Sequence, residues 1–153
     1  MTLIQPHVDI LLVEDNPNDI ELTLHAFKRN NLINAVYVVR DGAEAIDFLL
    51  GSGAYAGRNI DEQPKVILLD LKLPKIDGLE VLRCIKKDPR TCVIPVVMLT
   101  SSHLEQDIVE SYRLGVNSYI VKPVNFEKFI ETVRNIGLYW LLVNEHPLAG
   151  KDD

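Results

Sequence analysis

Apolar residues along the chain gather into short, nearly unbroken runs rather than alternating with polar ones. Val8 to Val13 is interrupted only by Asp9, Ala35 to Val39 is apolar and β-branched, and Val66 to Leu69 carries no polar position. Ile94 to Leu99 and Ser118 to Val121 supply a fourth and a short fifth run. Runs of this length suit strands covered on both faces, as in a parallel sheet. Between them the spacing turns helical. Ile20, Leu24 and Phe27 mark a helix from about Ile20 to Arg29 capped by Asn18 or Asp19. Asp41-Gly42 turns into a helix whose face is Ala43, Ile46, Leu49 and Leu50. Pro74 and Asp77-Gly78 break the chain before a helix from about Leu79 to Lys87, which Asp88-Pro89 stops. A helix from about Leu104 to Leu114 ends at Gly115, a left-handed cap position. The last helix starts near Asn125 and turns Phe126, Phe129, Ile130 and Val133 to one side. Residues 51 to 64 hold three of the eight glycines and Pro64, and read as a long exposed loop. It is not a domain boundary, because the next strand follows directly.

Five strands alternating with five helices predict an α/β, doubly wound, open parallel sheet with helices on both faces. The pattern allows either the ordinary doubly wound order or the flavodoxin-like order 2-1-3-4-5. In both, function belongs beyond the carboxyl ends of the strands, where the winding reverses. The polar residues at those ends are Glu14, Asp15, Asp70, Thr100 and Lys122. Taken singly, each has a bland reading: an Asp after a strand caps a helix, Thr100 fits a cap, and Lys122 fits a solvated charge. Their joint arrival at one edge argues for a shared crevice. Two like charges ~4 Å apart repel by roughly 4 kcal/mol at an effective dielectric near 20, so the three carboxylates need a cation. Lys122 supplies one charge, and an all-oxygen site with several carboxylates suits Mg²⁺. With Lys122 and the Thr100 hydroxyl as donors, the crevice could stabilise a transferring phosphoryl group, with Asp70 as the nucleophile.

Length and charge narrow the classes. The 153 residues fit one domain, and a domain of ~150 residues buries roughly 70% of its unfolded surface, so it needs no staple. Net charge is −6 without a basic cluster, which opposes nucleic-acid binding. No apolar run approaches the ~20 residues of a membrane span, and a signal-peptide pattern is lacking, so no membrane association and a cytoplasmic location are expected. Cys84 and Cys92 lack metal-ligand spacing and read as inert buried thiols. The four histidines are scattered and read as ordinary residues.

Five motifs carry a resemblance: Leu-Val-Glu-Asp at 12–15, Leu-Leu-Asp-Leu-Lys-Leu-Pro at 68–74, Asp-Gly at 77–78, Met-Leu-Thr-Ser at 98–101 and Tyr-Ile-Val-Lys-Pro at 119–123. In them the chain, over about residues 8 to 136, resembles the receiver domain of two-component response regulators. The resemblance implies the 2-1-3-4-5 order. It implies that Asp70 accepts a phosphoryl group from a sensor histidine kinase, and that Asp15 and Asp70 bind Mg²⁺ with Glu14 in support. The backbone carbonyl of Lys72 would be a further metal ligand. It makes Thr100 and Tyr119 the switch pair, brings Lys122 to the phosphoryl oxygens, and makes Lys122-Pro123 a cis peptide. Such a protein takes part in phosphoryl transfer and self-dephosphorylation without being a conventional enzyme. The run Glu-Asp-Asn-Pro-Asn-Asp, the loop at 51–64 and the Trp-containing end look like the phytochrome-associated regulators, which points to a phytochrome as kinase.

Other classes fit less well. A flavodoxin would repel its flavin phosphate at Glu14-Asp15. A haloacid-dehalogenase-type phosphatase expects an acid where Lys72 stands. A transcription factor would need more residues after the last helix. A pseudo-receiver, a protein-binding adaptor that takes no phosphate, is the alternative of the same fold. Residues 137–153 read as an extension of the last helix plus a tail in a chain that is otherwise one receiver domain. The run 136–143 is apolar nearly all round, so Leu138, Tyr139 and Leu142 are expected to form a homodimer interface.

Overall fold

The computed structural model describes residues 8–30, 35–101 and 110–135. Five strands form one parallel sheet: β1 (Ile10–Val13), β2 (Val36–Val39), β3 (Val66–Asp70), β4 (Val96–Thr100) and β5 (Ser118–Val121). Their order is β2-β1-β3-β4-β5. The expected flavodoxin-like winding is therefore present, with its reversal between β1 and β3. Helices α1 (Pro17–Arg29), α2 (Gly42–Leu50), α3 (Gly78–Lys87) and α5 (Phe126–Asn135) cover it, together with a helical turn over 110–113, here α4. The expected helix from Leu104 lies largely outside the described residues, but Gly115 does adopt φ 101° after that turn.

The unbroken apolar runs are explained by the two faces they serve. Every residue of β1, β3 and β4 is buried. Successive side chains of a strand point to opposite faces, so Ile10, Leu12, Val66, Leu68, Val97 and Leu99 pack with Phe27 of α1 and with Phe129 and Val133 of α5. Leu11, Val13, Ile67, Leu69, Val96 and Met98 pack on the other side with Phe48, Leu49, Val81, Leu82 and Ile85 of α2 and α3. The Phe27 and Phe129 rings meet at 4.6 Å between centroids and close the first layer.

Several local expectations change. Helix α1 starts earlier than expected because Asn16, not Asn18 or Asp19, is its cap. Asn16 Oδ1 accepts the backbone N–H groups of Asn18 and Asp19, and Pro17 occupies the first turn, where no donor is needed. The buried face of α2 is Ala45, Phe48 and Leu49; of the expected stripe Leu49 is buried, whereas Ala43, Ile46 and Leu50 are half-buried, so the face is turned toward Phe48. The reason is the loop at 51–64, which is folded rather than merely exposed. Arg58 lies 3.9 Å over the Phe48 ring and donates to the carbonyls of Phe48 and Glu62, while Tyr37 stacks on the same ring at 5.1 Å between centroids. The Tyr55 hydroxyl donates to Glu44 at 2.7 Å and meets the Tyr37 hydroxyl. Cys84 and Cys92 are half-buried instead of buried. Among the described residues no helix is long and apolar enough to cross a membrane. Residues 137–153, and with them Leu138, Tyr139 and Leu142, lie outside the described residues.

Candidate functional site: an acidic cleft at the strand ends

The sheet ladder runs one residue past several strands, and that extension sets the site. Glu14 N–H donates to Val39 O, Leu71 N–H to Leu99 O and Lys122 N–H to Thr100 O, at 2.7–3.0 Å. The pleat therefore continues, and Glu14, Asp70 and Lys122 share the parity of Leu12, Leu68 and Ile120. All three fall on the α1 and α5 side of the sheet. Thr100 and Tyr119 have the opposite parity, and Tyr119 packs against the α2 and α3 layer.

The result is a cleft lined by Glu14, Asp15, Asn16, Asp19, Asp70, Lys72, Ser101, Lys122 and Pro123. The Lys122 ammonium is its hub. It donates to Glu14 Oε1 at 3.0 Å, Asp19 Oδ2 at 2.9 Å and Asp70 Oδ2 at 3.1 Å. Glu14 and Asp70 are almost fully buried, at 1% and 4% exposure, whereas Asp15 is exposed. Carboxylate oxygens of Glu14, Asp15 and Asp70 lie within 4.8 Å of one another. Three hard oxygen donors so close fit a divalent cation, whose charge would relieve their mutual repulsion.

Electrostatics report the same imbalance. Burial, then the hydrogen bond and charge of Asp70, push the Glu14 carboxyl up to about 7, against the opposing pull of Lys122 and of the Asn16 N–H. Burial alone would lower the Lys122 ammonium, but its bonds to Asp19 and Glu14 and the charges of Asp70 and Glu14 outweigh that, and its pKa is raised.

The loop after β3 is held from two sides. Gly78 N–H donates to Leu71 O at 2.9 Å, and a Cβ on Gly78 would collide with the Asp70 carbonyl. A Cβ on Gly42 would likewise collide with the Ile76 carbonyl, and Gly42 N–H donates to Pro74 O. Between them Lys75 takes φ 68° in a tight turn closed by Ile76 N–H to Pro74 O at 2.8 Å. Lys75 also reaches Asp41, the α2 cap, at 3.4 Å. The corner of α2 thus braces the loop that carries Lys72, whose N–H donates to Asp70 Oδ1 at 3.3 Å while its side chain stands exposed at the cleft rim. Thr100 is buried at the end of β4 beside β5, and Tyr119 is half-buried with its ring edge-on to Tyr112 at 6.2 Å. The Lys122-Pro123 peptide is cis.

Of the residues expected from the sequence, Glu14, Asp15, Asp70, Lys72 and Lys122 line the cleft, Thr100 ends β4 beside it, and Tyr119 lies further back on β5, opposite Met98 and on the other face of the sheet. Asp19 joins them in the cleft, although by sequence its place at the start of α1 reads only as that of a helix cap. The available signal was its position one turn into a helix that starts directly after Glu14-Asp15.

An Asp ending the central strand, an acidic cluster and a lysine just past β5 meet at the carboxyl edge of a doubly wound sheet, and the chain belongs to the response regulator receiver domain family, whose model matches residues 10–134. Its relatives include the response regulator Rcp1 of Synechocystis sp., 42% identical over 92% of this chain and 93% of that protein. The probable methanogenesis regulatory protein FilR2 of Methanothrix harundinacea is 45% identical over 90% of this chain and 86% of that protein. Among solved structures, the bacteriophytochrome response regulator AtBRR superimposes with a TM-score of 0.79 at 54% identity, covering 92% of this chain and 100% of that one. The Mn²⁺-bound form of Rcp1 matches with a TM-score of 0.71 at 43% identity over 89% of this chain and 95% of that one. The phosphorylated cyanobacterial phytochrome response regulator RcpA matches at 0.72 and 46%, over 89% and 95%. The chain is a receiver-domain response regulator of two-component signalling, related to phytochrome response regulators.

Proposed function

We propose that Asp70 is the phosphoacceptor and that a phytochrome histidine kinase is the donor. A carboxylate oxygen of Asp70 attacks the phosphorus of the kinase's phosphohistidine, the P–O bond forms as the P–N bond breaks, and the imidazole leaves with a proton from solvent. Asp15, Asp70 and the Lys72 carbonyl would hold Mg²⁺, with Glu14 in support. When bound, the ion neutralises charge on the phosphoryl oxygens. Lys122 stabilises the same oxygens from the other side. The Thr100 hydroxyl then turns toward the phosphoryl group and Tyr119 packs inward, which biases the face formed by α4, β5 and α5.

The observation that carries this reading is the shared ammonium: Lys122 meets Asp70 at 3.1 Å in a cleft where three further carboxylates converge. A protein-binding adaptor that takes no phosphate would have no use for so unbalanced a cluster. The phytochrome assignment is supported by the likeness to AtBRR, Rcp1 and RcpA. Output passes through protein contacts, and we assign a homodimer to the segment containing Leu138, Tyr139 and Leu142. The protein acts in the cytoplasm as a signalling partner rather than as an enzyme with turnover on a separate substrate.

Intact mass after incubation with acetyl phosphate and Mg²⁺ tests the central claim. Wild type should gain one phosphoryl group, and Asp70→Asn or excess chelator should abolish the gain. Persistence in either case would overturn it. Thr100→Ala should still accept phosphate but lose most of the amide shifts that phosphorylation produces in wild type.

A further inference from the structure

Asp19 stands where a helix ordinarily spends an acid on its own terminus. It is the third residue after the Asn16 cap, a position whose side chain often reaches back to the cap's N–H. Here that N–H is already taken, because Asn16 N–H donates to Glu14 Oε2 at 3.1 Å. The Asp19 backbone N–H is held by Asn16 Oδ1 at 3.1 Å, which fixes the first turn. The Asp19 carboxylate is thereby left to cross the cleft, and it meets Lys122 Nζ at 2.9 Å, the shortest of that ammonium's three bonds.

The three carboxylates on Lys122 are not equivalent. Glu14 and Asp70 belong to the cluster of oxygens within 4.8 Å that fits a divalent ion, and Asp19 does not. A cation bound there competes with Lys122 for Glu14 and Asp70, because both would then be neutralised by the ion. The ammonium's tie to Asp19 is the one that such competition leaves. Without it, a lysine side chain regains its rotamer freedom and drifts toward water. With it, Lys122 stays at the cleft, one donor on Asp19 and two available for phosphoryl oxygens.

We propose that Asp19 is a positioning residue that anchors the Lys122 ammonium at the phosphoacceptor site when a divalent ion occupies the Glu14, Asp15 and Asp70 oxygens. This rests on the reading of Asp70 as phosphoacceptor. An acid at this place is also favourable to the helix dipole, so the test must separate a role through Lys122 from one through α1.

The experiment compares wild type, Asp19→Asn and Asp19→Glu at saturating Mg²⁺, each with and without Lys122→Gln. Two readouts are followed: the rate of acyl-phosphate formation from acetyl phosphate, and the ¹H–¹⁵N signal of the Lys122 ammonium, which is visible when the group is held and vanishes by exchange when it is solvated. Asp19→Asn should form acyl phosphate about five- to tenfold more slowly than wild type, in line with loss of one charge-assisted contact. Asp19→Glu should retain most of the rate. The ammonium signal should persist in Mg²⁺-loaded wild type and disappear in Mg²⁺-loaded Asp19→Asn. In the Lys122→Gln background, Asp19→Asn should change the rate less than twofold, because its effect passes through the missing ammonium. An unchanged or faster rate in Asp19→Asn, an equal loss without Lys122, or an ammonium signal indifferent to Asp19 would overturn the proposal. A wild type that never phosphorylates, yet shows the ammonium signal lost in Asp19→Asn, would overturn the phosphoacceptor reading and leave the anchor standing.

Discussion

Strand β1 is flanked by a buried carboxylate at each end, and the two have opposite meanings. Asp9, just before the strand, is 7% exposed and sits 3.2 Å from the ammonium of Lys65. Its other oxygen accepts the Ala35 N–H at 3.1 Å, and its carbonyl accepts Lys65 N–H and Val66 N–H. One acid and one base cancel, and the group ties the starts of β1, β2 and β3 together. Glu14, just past the other end, shares a single ammonium with Asp19 and Asp70 and has Asp15 beside it. A buried carboxylate that is balanced holds a fold together, and one left in excess invites a cation and a reaction.

The sharpest break of that comparison is Asp9→Ala. Removing the ion pair and the acceptor of Ala35 N–H should lower stability by about 2 kcal/mol, since Lys65 is partly exposed and can rehydrate. Phosphorylation at Asp70 should be unaffected. Denaturant midpoints and the intact-mass assay check both halves.

Glu14→Gln should do the reverse. Divalent affinity should fall by about tenfold, as for loss of a supporting carboxylate, while the metal-free protein at pH 8 becomes more stable by about 1 kcal/mol because a buried excess charge is gone. Calorimetric titration with Mg²⁺ and chelator-treated unfolding curves would read the two effects. A destabilised metal-free variant would show that Glu14 is balanced after all.

The pH dependence follows from the same residue. The Glu14 carboxyl is raised from its ordinary 4.5 to about 7 in the fold. Between those values the folded protein holds a proton that the unfolded chain has released, so by linkage its stability is fully present below about 4.5 and declines as pH rises toward 7. Unfolding measured in chelator should show this decline, and saturating Mg²⁺, which favours the ionised carboxylate, should flatten it. Glu14→Gln should remove the decline seen in chelator.

The smallest expected effect concerns Lys72. Its exposed side chain stands at the rim of the cleft that holds Asp70, where it can cover the line along which water reaches an acyl phosphate. Lys72→Asn should hydrolyse the phosphorylated protein about two- to fivefold faster, a change of less than 1 kcal/mol in the barrier. An equal or slower rate, followed by intact mass over time, would reject that shielding.

Strand ends were legible from residue order alone, since an apolar run that stops in Glu14, Asp70, Thr100 or Lys122 declares both a buried strand and its polar mouth. Helix α1 was legible as an element but not in its cap, because Asn16, Asn18 and Asp19 are all good caps and only the path of the chain out of β1 selects among them. The face of α2 was legible at Leu49 but not at Phe48 for a similar reason: Phe48 and Ile46 compete for the inside, and Arg58, ten residues on, covers the Phe48 ring. Asp9 looked like a flaw in an apolar run until Lys65 closed on it across the sheet. Asp19 looked like a cap until Lys122, 103 residues away, arrived at 2.9 Å. Periodicity is a local property and survives in the sequence. Charge balance is a sum over neighbours that only the folded sheet brings together, and it is charge balance that separates Asp9 from Glu14.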